Sequence, residues 1–406
     1  PTATGATGAT GAAAGAAVRL SGVDPTIVVD DASCPALRRD EIAAGDDMRD
    51  IDGVRLVRLV RLDRNVGPGG ARNAGLHLVD TAFVAFVDAD VEIDDASIRD
   101  LLAWFDDPTV ALVAPRIRAT AGTGRLARFE ALRSPLDLGA EPARVAPTTR
   151  VSYVPAAVLV CRTEALRAVG GFDQALRWGE DVDLVWRLHA AGWRCRYEPT
   201  VVALHRTRPS LRAWVEQRFR YGTSAAPLAE RHPGALAPVR MSGWSAATGA
   251  PIAAGIPLLG IAVGVGTTVA LVRKLRQVPP IESIRLAGMG NLYAGRLLAT
   301  TVTRTWWPVA ATAAVLSRRA RRLLLAAVVV PIVLDRRADR AGRAGRAGRA
   351  ESAVVDPITY AALHLLDDFA YGAGVWVGAW RRRSAAALLP SFESWPPRDS
   401  SGPRGT

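Results

Sequence analysis

The stretch AFVAFVDADVEID, residues 82–94, decides the fold. It opens as an apolar run with the composition of a buried strand and closes on two aspartates one residue apart, Asp88 and Asp90. An unpaired carboxylate in a low-dielectric interior is costly. Two of them at the end of such a run mark the point where a strand leaves the core and meets something that wants negative oxygen.

Working outward, the pattern from Pro25 alternates strands with helices. PTIVVDDAS is a short apolar strand ending in Asp30 and Asp31, and VRLVRLDRN (54–65) is a second. GPGGARNAGLHLV is a Gly-rich turn entering a helix. After TAFVAFVDAD come an acidic-start helix, DDASIRDLLAWFDD, and a further strand, VALVAPRI. VSYVPAAVLVCR reads as a strand, EDVDLVWRLHAAG as a helix closed by Gly192, and WRCRYEP and TVVALH as strands. This alternation predicts an α/β domain over 25–205 with a mostly parallel sheet, whose ligands bind beyond the carboxyl ends of the strands. Asp31, Asp88 and Asp90 all lie at such ends.

Charge divides the 406 residues unevenly. Residues 1–205 hold 23 Lys+Arg against 28 Asp+Glu, and residues 206–406 hold 28 against 11. The basic half calls for an anionic partner. Its arginines flank apolar runs rather than interleave with aromatics, which suits lipid headgroups and argues against nucleic acid. Three cysteines, Cys34, Cys161 and Cys195, have neither metal-type spacing nor an even number, so the expected compartment is a reducing cytoplasm. Residues 1–24 are low-complexity Thr, Gly and Ala without the pattern of a signal peptide, and the absence of an initiator Met points to a start further upstream.

Residues 206–240 read as a basic helical connector. Residues 241–272 then carry no charge, a run longer than the roughly 20 residues that span a bilayer. Arg273, Lys274 and Arg276 follow at once, a cytoplasmic-side signature. TWWPVAATAAVLS and LLLAAVVVPIVL are too short to span and read as interfacial or re-entrant helices separated by RRARR. The expectation is an apolar, basic, membrane-associated helical region over 241–334. A solvated basic linker (335–352), a helical segment (353–390) and a disordered tail (391–406) follow. An Ala-rich soluble helical domain is the alternative for 241–334.

A strand-end Asp-x-Asp suits Mg²⁺ or Mn²⁺ bridging to phosphate oxygens. A haloacid-dehalogenase-type phosphatase would need a phosphoryl-binding Lys or Arg, usually Lys, and a later GDxxxD motif. Lys274 beside the apolar segment is the single lysine, and GEDVD does not match. The Gly-rich turn also fails the GxGxxG spacing of a dinucleotide site, since Gly67-Pro68-Gly69-Gly70 is followed by Ala71 and Arg72. A nucleotide-sugar glycosyltransferase fits three features together. Asp31 is placed to recognise a base, the turn NVGPGGARNAG brings backbone N–H groups and Arg72 toward phosphate, and RWGEDVDL supplies a base at a helix start.

In this order, VVDDAS, RNVGPGGARNAGL, FVDAD, VGGFD, GEDVDLVWRL and the strand-end His205 resemble the GT-A domain of family 2 glycosyltransferases, which invert at the anomeric carbon. The resemblance implies that Asp31 contacts the base and Arg72 lies by the nucleotide. It gives Asp88 and Asp90 to ribose and a divalent cation, Asp90 being the stronger candidate ligand and His205 a further one. It makes Asp181 the general base and gives Glu180 the orienting of acceptor or loop. The family's first strand has no evident counterpart in residues 1–24.

RAWVEQRFRYGTSAAPLAERHPGALAPV and LDDFAYGAGVWVGAWRRRSAAALLP are similar to the members of that family from the mycofactocin system. That likeness implies UDP-glucose as donor, a peptide-derived acceptor, and an oligoglucose product. Arg218 and Arg220 become candidate contacts to acceptor or diphosphate. The catalytic domain would then face the cytoplasm at the cell membrane. A rhamnosyl- or galactofuranosyltransferase acting on a lipid-linked acceptor, and a non-catalytic membrane-bound scaffold, are the alternatives.

Overall fold

The computed structural model describes residues 2–6, 26–38, 57–120, 122–208, 210–344 and 355–393. The chain divides into two compact units, residues 1–214 with 351–360, and residues 215–350 with 361–406.

The first unit is built on a sheet of nine strands among the described residues: β1 (Thr2–Ala6), β2 (Thr26–Asp30), β3 (Val57–Arg61), β4 (Phe83–Asp88), β5 (Val91–Glu92), β6 (Val110–Ala119), β7 (Ala143–Val145), β8 (Val158–Arg162) and β9 (Arg194–His205). Their order is β3-β2-β1-β4-β8-β6-β9-β5, with β7 also beside β9. The run β3-β2-β1-β4 is parallel throughout. Beyond it β8 runs antiparallel to both β4 and β6, so the sheet is mixed rather than mostly parallel. The connection from β6 to β8, which carries a helix over Arg125–Arg133 and the three-residue β7, brings the chain back in the opposite direction.

The family's first strand, expected to be missing, is filled by residues 2–6. β1 pairs Thr2 with Thr26 and Ala6 with Asp30 on one side, and Thr2 with Ala85 on the other. A strand with ladders on both edges satisfies all its backbone groups, so Thr, Ala and Gly suffice there despite weak intrinsic preference.

Helices α1 (Gly67–Leu76), α2 (Asp95–Leu102), α3 (Arg125–Arg133), α4 (Thr163–Ala168) and α5 (Glu180–Ala190) complete this unit. The alternation of β4 sends successive side chains to opposite faces. Val87 joins Ile98, Val113, Ile117 and Val158 in a core on the α2 side. Phe86 points the other way, edge-on to Phe172 with ring centroids 5.3 Å apart. Asp88 shares the Phe86 face.

The second unit contains the remainder of α6 (Leu211–Thr223), then α7 (Ala225–Arg231), α8 (Gly243–Ala254), α9 (Pro257–Lys274), α10 (Pro280–Arg304), α11 (Trp307–Leu316), α12 (Arg318–Ala344) and most of α13 (Pro357–Arg382). Strands β10 (Arg240–Ser242) and β11 (Ser391–Glu393) pair in parallel, which orders the start of the expected tail; residues 394–406 lie outside the described residues. The charge-free run 241–272 is not one long helix. Gly255 adopts φ +84° and Pro257 restarts the chain, giving a hairpin in which Gly260 of α9 lies against Ile252 and Thr248 of α8. Of the described helices, α9 is the one long and apolar enough to cross a membrane. The RRARR segment and residues 335–344, expected as a separator and a linker, both belong to α12, because Arg and Ala are strong helix formers. The rest of that linker lies outside the described residues.

Helices α6 and α13 meet at glycines. A methyl group built on Gly374 would overlap the Phe219 carbonyl oxygen, and one on Gly222 the Tyr371 carbonyl. Beside this crossing Asp367 and Asp368 neutralise Arg304 at 3.3 and 2.9 Å, Asp367 also pairs with Arg218 at 2.9 Å, and Thr303 donates to Asp368 at 3.0 Å. Overpacking a close crossing costs about 1–3 kcal/mol or more, so Gly374→Ala should lower stability by at least about 2 kcal/mol. Gly288, in α10 with open space around it, should instead gain up to about 1 kcal/mol as Ala. Chemical denaturation of the two variants against the parent chain measures both; equal effects would contradict the packing.

Candidate active site

The site grows from the end of β4. Asp88 is fixed by its backbone N–H donating to the Ala157 carbonyl at 2.9 Å. The turn at Ala89–Asp90 leads into β5, which pairs Val91 with His205 of β9. That register sets Asp90 beside the last residue of β9: its Oδ2 lies 3.4 Å from His205 Nε2 and 3.5 Å from Arg208 Nη1. Two strand ends far apart in sequence thus bring together an acid, an imidazole and a guanidinium.

A second acidic group faces Asp88. Gly179, at φ +79°, turns the chain into α5, whose first turn carries Glu180, Asp181 and Asp183. Carboxylates are favoured at a helix amino end by its free N–H groups. Asp181 Oδ1 accepts from Val182 N at 2.8 Å and Oδ2 from Ala156 N at 3.2 Å. Glu180 accepts from Arg72 Nη1 at 2.8 Å, and Arg72 Nη2 donates to Asp88 Oδ1 at 2.6 Å. Arg72 is 4% exposed and lies 5.4 Å from the Phe172 ring centroid.

Burial governs the electrostatics. It pushes the Asp88 carboxyl up, Arg72 pulling against it and the Asp90 charge adding to it. It pushes Glu180 up, with the Asp181 charge reinforcing and Arg72 opposing. Asp181 is raised by burial too, against its two N–H donors and Arg72. At Asp90, burial is outweighed by His205 and Arg208, which hold the carboxyl below its ordinary value. Arg72 stays charged despite burial because Asp88 and Glu180 flank it.

The start of the Gly-rich turn is held from within the protein. Asp31 is 1% exposed, and its two carboxylate oxygens accept from Val66 N at 2.7 Å and Gly67 N at 2.9 Å. Two of the turn's N–H groups are therefore capped, and Arg72 is turned to the Asp88 and Glu180 carboxylates. Asp30 is likewise engaged, by Ser33 N at 2.8 Å, Leu37 N at 3.2 Å and Arg61. Asn65 donates to the Asp31 carbonyl at 3.1 Å and accepts from Arg177 at 2.5 Å. Asn73 closes the far side, donating to the Phe172 carbonyl at 2.7 Å and accepting from Phe172 N at 2.9 Å.

Among the described residues no cluster of three or more His, Cys, Asp or Glu side chains is poised around a metal position. Asp90 and His205 nevertheless adjoin, and Asp88 stands across the turn. Carboxylate oxygens with one imidazole fit Mn²⁺ or Mg²⁺ when a diphosphate supplies the remaining oxygens. Arg218 and Arg220 belong to the second unit, where Arg218 pairs with Asp367 and Arg220 with Glu216. Sequence reasoning missed Arg208, although a cation three residues past a strand-end histidine is a readable signal. It also missed Ala156, whose backbone contribution no side chain announces.

If Asp31 is the cap of α1, Asp31→Ala should cost about 1–2 kcal/mol of stability, the usual worth of such a cap. Asp31→Asn, which keeps one acceptor, should lose less. Urea denaturation without nucleotide measures this, and unchanged midpoints would contradict the capping role.

The sequence profile of glycosyl transferase family 2 matches residues 24–160. A pre-mycofactocin glycosyltransferase of Mycobacterium tuberculosis is 42% identical over 375 residues, covering 91% of this chain and 77% of its own. Succinoglycan biosynthesis protein ExoO of Rhizobium meliloti is 30% identical over 202 residues, 45% of this chain and 52% of that one. Among solved structures, the mannosyltransferase PcManGT from Pyrobaculum calidifontis, in complex with GDP-Man and Mn²⁺, aligns with a TM-score of 0.41 at 19% identity, over 81% of this chain and 85% of that one. With a relative this similar over most of both sequences, the chain belongs to glycosyl transferase family 2 and is a glycosyltransferase.

Proposed function

We propose that this glycosyltransferase moves glucose from UDP-glucose to premycofactocin, with inversion at the anomeric carbon, and repeats the transfer to build an oligoglucose chain. The acceptor is the one in the name of the Mycobacterium relative. The observation that carries the chemistry is Asp181. It is a buried carboxylate held by two backbone N–H groups at the start of a helix, one Arg72 away from the strand end that carries Asp88 and Asp90.

Asp181 takes the proton of the acceptor hydroxyl as that oxygen bonds to C1 of the sugar from the face opposite the diphosphate. The bond from C1 to the diphosphate oxygen breaks at the same time, and UDP leaves with its electron pair. A carboxylate suffices as base because the hydroxyl acidifies only as its new bond forms. Asp88, Asp90 and His205 are the residues that would hold a divalent cation, which would supply positive charge to steady the departing diphosphate. Glu180, anchored by Arg72, sets the loop from which Asp181 works.

A place at the membrane is supported by exposure in the second unit. Its helices expose large apolar side chains, Leu258, Leu292, Val315 and Leu316 among them; Arg273 and Lys274 end α9, and Arg318 and Arg319 open α12 just after Val315 and Leu316. Apolar faces bordered by arginine suit the cytoplasmic leaflet of the cell membrane. The same exposed helices favour a second reading, in which a cell-envelope rhamnosyl- or galactofuranosyltransferase acts on a lipid-linked acceptor.

The test is UDP release from UDP-glucose by the membrane-bound chain, with Mn²⁺ or EDTA, with and without premycofactocin, and mass spectrometry of the acceptor for added hexose. Asp181→Asn should lower kcat about 10³-fold while donor binding persists. Because burial raises the Asp181 carboxyl, kcat should fall on its acid side at a pH above that of an ordinary aspartate. Release stimulated by polyprenyl-linked glycan and not by premycofactocin would move the assignment to the second reading. An Asp181→Asn enzyme as active as the parent would remove Asp181 from its role.

A further inference from the structure

We propose that Arg72 is a positioning residue that couples the donor side of the reaction to the acceptor side, its forked guanidinium holding Asp88 with one amino group and the Glu180-Asp181 loop with the other. This rests on the function proposed above.

The argument begins with how firmly Arg72 is presented. Helix α1 is capped at its start by Asp31 and clamped at Asn73 by two hydrogen bonds with the Phe172 backbone. A methyl group on Gly69 would stand 3.3 Å from Phe172 Cβ and 3.4 Å from Glu180 Cγ, so helix and acidic loop are in direct contact. From this platform Nη1 reaches Glu180 and Nη2 reaches Asp88. Nη2 also donates to the Ala156 carbonyl at 3.4 Å, while the N–H of the same residue holds Asp181. Arg72 therefore touches the donor-side carboxylate, the neighbour of the base, and the residue that orients the base.

A buried ion network is weak evidence for stability, since well-packed apolar side chains often do as well. What a fork gives instead is fixed geometry between two carboxylates, which a lysine's single point charge cannot reproduce. The charged groups that act on Asp181 are Glu180 beside it on its own helix and Arg72 from α1. Asp183, two residues on, is paired with Arg187 at 2.7 Å. Burial and the Arg72 cation pull the Asp181 carboxyl in opposite directions.

The experiment uses the full chain as parent, Arg72→Lys and Arg72→Met, with two independent readouts. Hydrogen–deuterium exchange over residues 173–183 needs no turnover. It should quicken about tenfold or more in both variants, while β4 and β6 keep their protection. In the UDP-glucose assay both variants should lose about 100-fold in kcat, the scale of a misplaced catalytic group, with donor affinity changed less than about threefold. The acid limb of the Arg72→Met profile should move up by about one pH unit, which a merely less stable enzyme would not show. Exchange unchanged in Arg72→Lys, or donor affinity lost with the acid limb in place, would overturn the proposal and return Arg72 to a nucleotide contact. If Arg72→Met loses protection everywhere, the charge-keeping Lys variant decides. A parent chain inert toward UDP-glucose would sink the proposed substrate, and the exchange result would still stand or fall alone.

Discussion

Everything at this end of the first unit depends on holding several carboxyl groups together at the rim of a hydrophobic core. Asp88, Asp90, Glu180 and Asp181 are all raised or opposed by burial, and each is held by something specific. Arg72 serves two of them, His205 and Arg208 serve the third, and backbone N–H groups serve the fourth. Removing charge from water is costly enough that these partners fix the geometry around them. The sheet supplies the positions, and the electrostatic demand dictates which residues must converge there.

That demand explains why these carboxyl groups stand out in the sequence. Asp88 and Asp90 stand out in the sequence because an apolar run predicts burial and the aspartates contradict it. Glu180 and Asp181 stand out because they open a helix just after a Gly-rich turn. The strands of β2, β4, β6, β8 and β9 were legible from their apolar runs, and α5 from its Gly ends. Where the reading failed, the cause was non-local. Residues 2–6 carry no strand signature, because their place between β2 and β4 is fixed by ladders on both sides. The direction of β8 depends on how the chain returns, which its own residues do not encode. The hydrogen bonds that Asp31 makes to the start of α1, and Arg72 to Asp88 and Glu180, are likewise a matter of side-chain geometry that no spacing reveals.

In the second unit the difficulty was of another kind. Residues 241–272 carry no charge, and an apolar run of that length invites a single helix. One left-handed glycine followed two residues later by proline divides it into a hairpin. Composition could not separate these outcomes, since Gly occurs throughout the run. The arginine tracts misled in the opposite direction: charge suggested a separator and a linker, but Arg and Ala are strong helix formers, and α12 takes in RRARR and residues 335–344.

The crossing of α6 and α13 has a further consequence. Gly222, Gly374 and Gly378 are so near the opposite backbone that no side chain fits without moving a helix. Such contact is set by the two main chains and is indifferent to the apolar residues around it, which can drift in size and identity. The glycines, with Asp367 and Asp368 about two turns before Gly374 and about three before Gly378, thus form a fingerprint of this helical unit. It would identify the same architecture in chains whose remaining sequence has diverged too far to align, independently of what their first unit carries.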